Sequence, residues 1–241
     1  MSKKNTVDVF DQDILNVGGY VYTTSMRLSS RLATQRTIDM ILQARCFENR
    51  AILDLGCGDG YFTIRFWETG KPRSLTGVDA AAQAIKLANE NKGGRPIRFL
   101  VGDAHRLPYT DNSFDLVLIQ SILHHDNDPK DIIREAFRLA PIILIHEPNG
   151  NNLGLKVIER ISPYHREHGE KSYNSFQFRK WIRETGGKIT YHKFAGFVPM
   201  FCPNWVAKLM KWIEPSIEHT PFLRELACSV VVLVAKRASA L

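Results

Sequence analysis

Residues 51–61, AILDLGCGDGY, restrict the fold of this chain more tightly than any other stretch. Ala51–Leu55 reads as a short buried strand, and Gly56, Cys57, Gly58, Asp59 and Gly60 read as a turn from which a helix starts at Tyr61. Residues without a β-carbon tolerate unusual torsions and leave room, so a backbone built this way can approach a ligand closely. Two later positions extend the pattern. Asp79 ends the second apolar run 19 residues after Gly60, where a carboxylate can accept both hydroxyls of a ribose, and Gly102-Asp103-Ala104 ends the third.

From residue 50 onward, short apolar runs alternate with helical patterns, as in a parallel sheet covered by helices. The candidate strands are Ala51–Leu55, Ser74–Val78, Ile97–Val101, Phe114–Ile119, Ile142–Ile145, Lys188–Phe194 and Ser229–Ala235. Helical patterns fall at Tyr61–Glu68, Ala81–Asn91, Pro129–Leu139 and Ser175–Thr185. The last two strands are separated by 34 residues with four prolines, so one of them is expected to run antiparallel at an edge. The fold class expected is α/β: a Rossmann-like, doubly wound, seven-stranded, mostly parallel sheet with an antiparallel edge strand.

Residues 1–48 precede the sheet and read as a separate helical segment of one or two helices, with Met26, Leu28, Leu32, Ile38, Ile41 and Leu42 at roughly helical spacing. Residues 49–241 make up the main domain, into which 147–173 and 195–228 are inserted as caps. The first cap reads as a polar connection rich in glycine and histidine. The second carries an aromatic amphipathic helix, Trp205–Glu214, for which an acceptor-pocket cap, a lipid-facing helix and an ordinary buried helix are all open readings. The first of these would make one wall of a pocket whose other wall holds Tyr20 and Tyr22.

A dinucleotide site with a GxGxxG turn competes for the glycine motif. That site needs a third glycine for close helix packing, and here the position is Tyr61. Asp54 and Asp59 put negative charge beside the turn, which opposes a pyrophosphate and suits a ligand carrying an ammonium and a sulfonium. With Phe114-Asp115-Leu116-Val117 and Leu123-His124-His125 added, residues 48–146 resemble the class I S-adenosylmethionine-dependent methyltransferases of the small-molecule, methyltransferase-11-like type. The likeness continues more loosely through the last strand.

That resemblance implies S-adenosylmethionine as the cofactor and S-adenosylhomocysteine as its product. It implies that Gly56 and Gly58 approach the methionine part, with Cys57 as a small packed side chain and Gly60 completing the turn. Asp54 would reach the ammonium through water, with Gln120 or Ser121 beside the same group. Asp79 would hold the ribose with Ala80 next to the adenine, and Asp103 the adenine amino group with Ala104 adjacent. In relatives the N-terminal segment folds over the donor as a lid, which would bring a tyrosine hydroxyl such as that of Tyr22 near the sulfonium; packing of the N-terminal helices is the alternative reading.

Methyl transfer from a sulfonium is an in-line displacement, so positioning and exclusion of water dominate and a base is needed only when the acceptor must lose a proton early. His124, His146 and Glu147 end the fourth and fifth strands, where ligands bind in open α/β sheets, and are the catalytic candidates. For Glu147 the rival reading is that it holds the following loop. His165 and His168 have the spacing of metal ligands on one helical face, but no third ligand accompanies them and no metal is expected.

The four cysteines form no CxxC pair, so neither a zinc ribbon nor a disulfide framework is suggested, and a cytoplasmic location is expected. No apolar run reaches the roughly 20 residues that span a bilayer, which leaves only peripheral membrane contact. A small organic or lipid-like acceptor methylated at oxygen or carbon is the reading adopted, because Ile119-Gln120-Ser121-Ile122 departs from the tetrapeptide of nucleobase amino methyltransferases. The net charge of +7 raises RNA as an alternative acceptor, without a clustered basic stripe to support it. A protein that binds the donor without turnover is the third reading.

Overall fold

A computed structural model describes residues 11, 14, 19–20, 25–162 and 171–238. Tyr22, His165 and His168 lie outside them. Seven strands form one sheet: β1 Ala51–Leu55, β2 Ser74–Asp79, β3 Arg98–Val101, β4 Leu116–Gln120, β5 Ile142–Pro148, β6 Gly187–Ala195 and β7 Val230–Arg237. Their order is β3-β2-β1-β4-β5-β7-β6. The first five are parallel, and β7 runs antiparallel to both β5 and β6. β6 therefore closes the edge antiparallel to its one neighbour, while the reversal against the parallel five is carried by β7 inside the sheet.

Helices α1 Leu28–Gln43, α2 Tyr61–Gly70 and α3 Ala82–Asn91 belong to the first half, and α4 Pro129–Leu139, α5 Leu153–Ile161, α6 Ser175–Glu184, α7 Asn204–His219 and α8 Pro221–Ala227 to the second. The alternation of side chains along the strands divides the core between two faces. Leu53, Leu55, Val117, Ile119, Ile143 and Ile145 pack with α4 and α6 on one face, and Ile52, Leu116, Leu118 and Leu144 pack with α1 and α2 on the other. α4 buries Ile132, Ile133, Ala136 and Phe137 along one stripe, begins on Pro129 and ends near Arg138, each feature suited to its position along the helix. A full capping box, Asn174 with Gln177, starts α6. Phe178 of that helix is fully buried, and truncating such a side chain costs about 3–5 kcal/mol.

Three helices exceed the sequence reading, one of them α8, which follows α7 after Thr220. α5 lies in what read as a polar connection; Leu153, Val157, Ile158 and Ile161 have helical spacing, and the Asn152 side chain caps the start by accepting from the Leu155 amide. α7 continues through Pro215 to His219. Its inner side docks on α1 through the Arg36–Glu218 pair, and in the turn before α7 the Met200 carbonyl accepts from the Ser29 and Ser30 hydroxyls of α1 at 2.8 and 2.9 Å. Trp205 and Trp212, expected to wall a pocket, are instead 71% and 80% exposed, because Ala207, Glu214 and Glu218 take the inner side of the helix. Among the described residues no helix is long and apolar enough to cross a membrane.

Candidate active site

The site lies at the C-terminal ends of the parallel strands. Gly56, Gly58 and Gly60 all have positive φ, at 81°, 53° and 79°, so the turn needs the freedom glycine has there. A β-carbon on Gly60 would lie 2.9 Å from the Phe99 ring, and one on Gly58 would lie 2.6 Å from the ring of Tyr20. Gly60 is thus required for packing, whereas Gly58 is the point where the N-terminal segment comes down on the turn. That segment is anchored twice more. Asp11 accepts from the Gln83 amide at 3.0 Å and caps α3, whose own N-cap, Ala81, has no side chain able to do so; Ile14 packs on Ala81 and Ala84.

Asp79 binds the turn to the start of α3. One carboxylate oxygen accepts from the Gly58 amide and the other from the Ala81 amide, both at 2.9 Å. Burial raises its pKa, and these amides oppose the rise. Ala80 beside it is exposed. Asp54 is fully buried; Oδ2 accepts from the Thr63 hydroxyl at 2.6 Å and Oδ1 has no partner. Burial pushes its carboxyl up to about 7, with Asp79 adding to the rise and Thr63 opposing it. Burial likewise raises the Cys57 thiol, helped by Asp79 and Asp54, which keeps it a neutral packed group. At the third strand the exposed Asp103 accepts from the His105 amide and ring at 2.9 and 2.8 Å, and Ala104 packs against the core.

Asp54, Gln120 and His146 lie on the same face of the sheet, since Asp54 is paired with Leu118 and Gln120 with His146. Each is buried, and Asp54 Oδ1, Gln120 Oε1 and His146 Nε2 all lack a hydrogen-bond partner. Burial, with His124 nearby, holds the His146 imidazole down at about 4, so it is neutral at pH 7. Its Nδ1 lies 3.4 Å from the hydroxyl of Ser121, a residue held at φ 54°.

Glu147 points to the other face. Its Oε1 accepts from the Ile122 and Leu123 amides at 2.9 and 2.8 Å, and its Oε2 accepts from His124 Nδ1 at 2.7 Å. The carboxylate is fully buried and His124 nearly so. Sequence reasoning missed the use of Asp11 as a cap; an acidic residue far from any helix pattern carries no signal of it. Among the described residues no three metal-ligating side chains gather.

A family model described as a methyltransferase domain matches residues 53–141, the span from β1 to the end of α4. Over this span the chain resembles the class I S-adenosylmethionine-dependent methyltransferases. It is 24% identical over 223 residues to the demethylmenaquinone methyltransferase of Thermotoga maritima, covering 87% of each chain. It is 32% identical over 103 residues to an uncharacterized methyltransferase, YcgJ, of Bacillus subtilis, covering 42% of this chain and 40% of that one. In fold it resembles the magnesium protoporphyrin IX methyltransferase of Synechocystis with bound S-adenosylhomocysteine, at a TM-score of 0.67 and 16% identity over 96% of this chain and all of that one. In this methyltransferase the ends of β1, β2 and β4 fit a sulfonium donor: Asp54 and Gln120 offer buried acceptors without partners, and each Asp79 oxygen keeps a lone pair after accepting one amide.

Proposed function

We propose that the protein binds S-adenosylmethionine at the glycine turn and transfers its methyl group to oxygen or carbon of a small organic or lipid-like acceptor. The observation that carries this reading is the set of three buried polar atoms without partners, Asp54 Oδ1, Gln120 Oε1 and His146 Nε2, on one face at the ligand-binding ends of adjacent strands. Buried polar groups are otherwise almost always hydrogen-bonded, so the set is what a polar ligand would complete.

The donor supplies an electrophilic methyl carbon on a positively charged sulfur. Asp54 and Gln120 hold the ammonium end, Asp79 the ribose, and Ala80, Asp103 and Ala104 the adenine side. Asp11, Ile14 and Tyr20, anchored on α3 and on the glycine turn, cover the donor and exclude water. His146 is a neutral imidazole whose Nε2 has no partner among the described residues, so it can accept a hydrogen bond from an acceptor hydroxyl and orient it. Glu147 and His124 are positioning residues that keep the turn after β4 in shape for Gln120 and Ser121. A relative named for demethylmenaquinone supports an organic acceptor of low polarity, and the location remains cytoplasmic in this reading.

The test is incubation with methyl-labelled donor and separate small-metabolite, lipid and RNA fractions. Label in the metabolite or lipid fraction is expected. Label in RNA alone overturns the acceptor class, and donor binding without uptake in any fraction overturns turnover.

A further inference from the structure

Three adjoining cap helices carry exposed apolar side chains that the site does not use. On α7, Trp205, Leu209 and Trp212 follow at helical spacing and all are exposed, with Lys208 exposed beside them. The acids of the same helix face inward: Glu214 accepts from the Phe197 amide and Glu218 from the Gly196 amide, both at 3.0 Å. The outer side of α7 is therefore aromatic and cationic. α5 repeats the arrangement. Leu153, Val157 and Ile161 are exposed, no residue of the helix is buried, Arg160 is exposed, and Glu159 is held by Lys156 at 3.0 Å. α8 joins the two, packing on both and adding Phe222 at 72% exposure; Asn152 at the start of α5 donates to the Ala227 and Cys228 carbonyls at its end.

We propose that this face docks on the surface of an anionic lipid bilayer, with Trp205 and Trp212 at headgroup depth. Large exposed apolar side chains concentrated on adjoining helices mark an interaction site, and tryptophan is the side chain best matched to the membrane interface. Charge selects the occupant. Arg160 and Lys208 are exposed, and the one exposed carboxylate on the three helices is Glu225. A second copy meeting this face across a two-fold axis would bring like charges together, whereas anionic headgroups neutralise them. Each lysine or arginine at such a surface strengthens binding by about fivefold. The proposal stands on the outer face alone and is tested without donor or acceptor, so its failure leaves the methyltransferase reading intact.

The test is flotation of the whole protein with vesicles of phosphatidylcholine, with and without phosphatidylglycerol. Binding to the anionic vesicles is expected, about tenfold or more weaker without phosphatidylglycerol or in high salt. Trp205→Ser with Trp212→Ser is expected to cut it by about tenfold or more while circular dichroism and Tm stay unchanged. Should that variant not fold, Val157→Ser with Ile161→Ser on α5 gives the same readout. Three results would each overturn the proposal: a protein that does not float with anionic vesicles, folded variants that bind as well as the parent, or a dimer in light scattering that Trp205→Ser with Trp212→Ser returns to monomer.

Discussion

The Glu147 carboxylate lies 2.7 Å from the His124 imidazole, and its second oxygen takes the amides of Ile122 and Leu123, so one buried side chain on β5 holds the whole turn that follows β4. Glu147→Ala leaves two amides and an imidazole buried without their acceptor. Breaking a buried pair in this way costs about 3 kcal/mol or more. The expected outcome is a fall in Tm of roughly 6–12 °C in a chain of this size. Thermal melting of the variant beside His124→Ala checks it; an unchanged Tm in Glu147→Ala would show that the turn is held by other contacts.

Asp79→Ala removes the acceptor for Gly58 and Ala81 amides at the mouth of the site. Donor affinity is expected to fall by about 10–100-fold, equivalent to roughly 1.4–2.8 kcal/mol, with the fold retained. Isothermal calorimetry on the folded variant measures this, and NAD is expected not to bind the parent protein. Unchanged donor affinity would remove Asp79 from the site.

Donor binding should be linked to a proton on Asp54. Burial holds this carboxyl at about 7, above its unfolded value, so near neutral pH a fraction is protonated. A cationic ammonium favours the carboxylate and lowers that pKa in the complex. Affinity is therefore highest above pH 7 and weakens as pH falls below it. Calorimetry in buffers of different ionisation enthalpy should detect proton release on binding near pH 7, and Asp54→Asn should abolish it. Buffer-independent enthalpies in the parent would contradict the linkage.

His146 makes the opposite kind of pH statement, about stability. Its folded pKa, held down at about 4 by burial, lies below the unfolded value of 6.5. Between those values the unfolded chain binds a proton that the folded chain does not, so stability from this group is present above the unfolded pKa and is lost as pH falls through the window. Relative to His146→Gln, the parent should lose on the order of 3 kcal/mol between pH 7 and pH 4. Urea melts of both proteins at the two pH values measure the difference; parallel losses would place a partner on His146 Nε2.

The strands, the glycine turn and the helices α2, α3, α4 and α6 were legible in the sequence because each is written in neighbouring residues. Strand burial repeats every second residue, helix faces repeat every three to four, and Pro129, Asn174 and the glycines at 56, 58 and 60 mark starts and turns by local backbone chemistry. α5 was missed: Leu153, Val157 and Ile161 have helical spacing, but Asn149, Gly150, Asn151 and Asn152 just before it, and Gly154 within it, gave the stretch the look of a polar connection. His124, His146 and Glu147 were singled out from the ends of the strands, and the donor-binding candidates from the family resemblance.

What those side chains face was decided only by the tertiary structure. His146 and Glu147 are adjacent in the chain, yet the pleat sends one to the face with Asp54 and Gln120 and the other to the turn at Ile122 and Leu123. Arg36 and Glu218 meet across 182 residues, and with Glu214 they turn the acids of α7 inward and its tryptophans out. Sequence patterns report periodicity within one element. They carry no record of the partner that a distant element brings, and for buried charge that partner sets both the orientation of the helix and the protonation of the group.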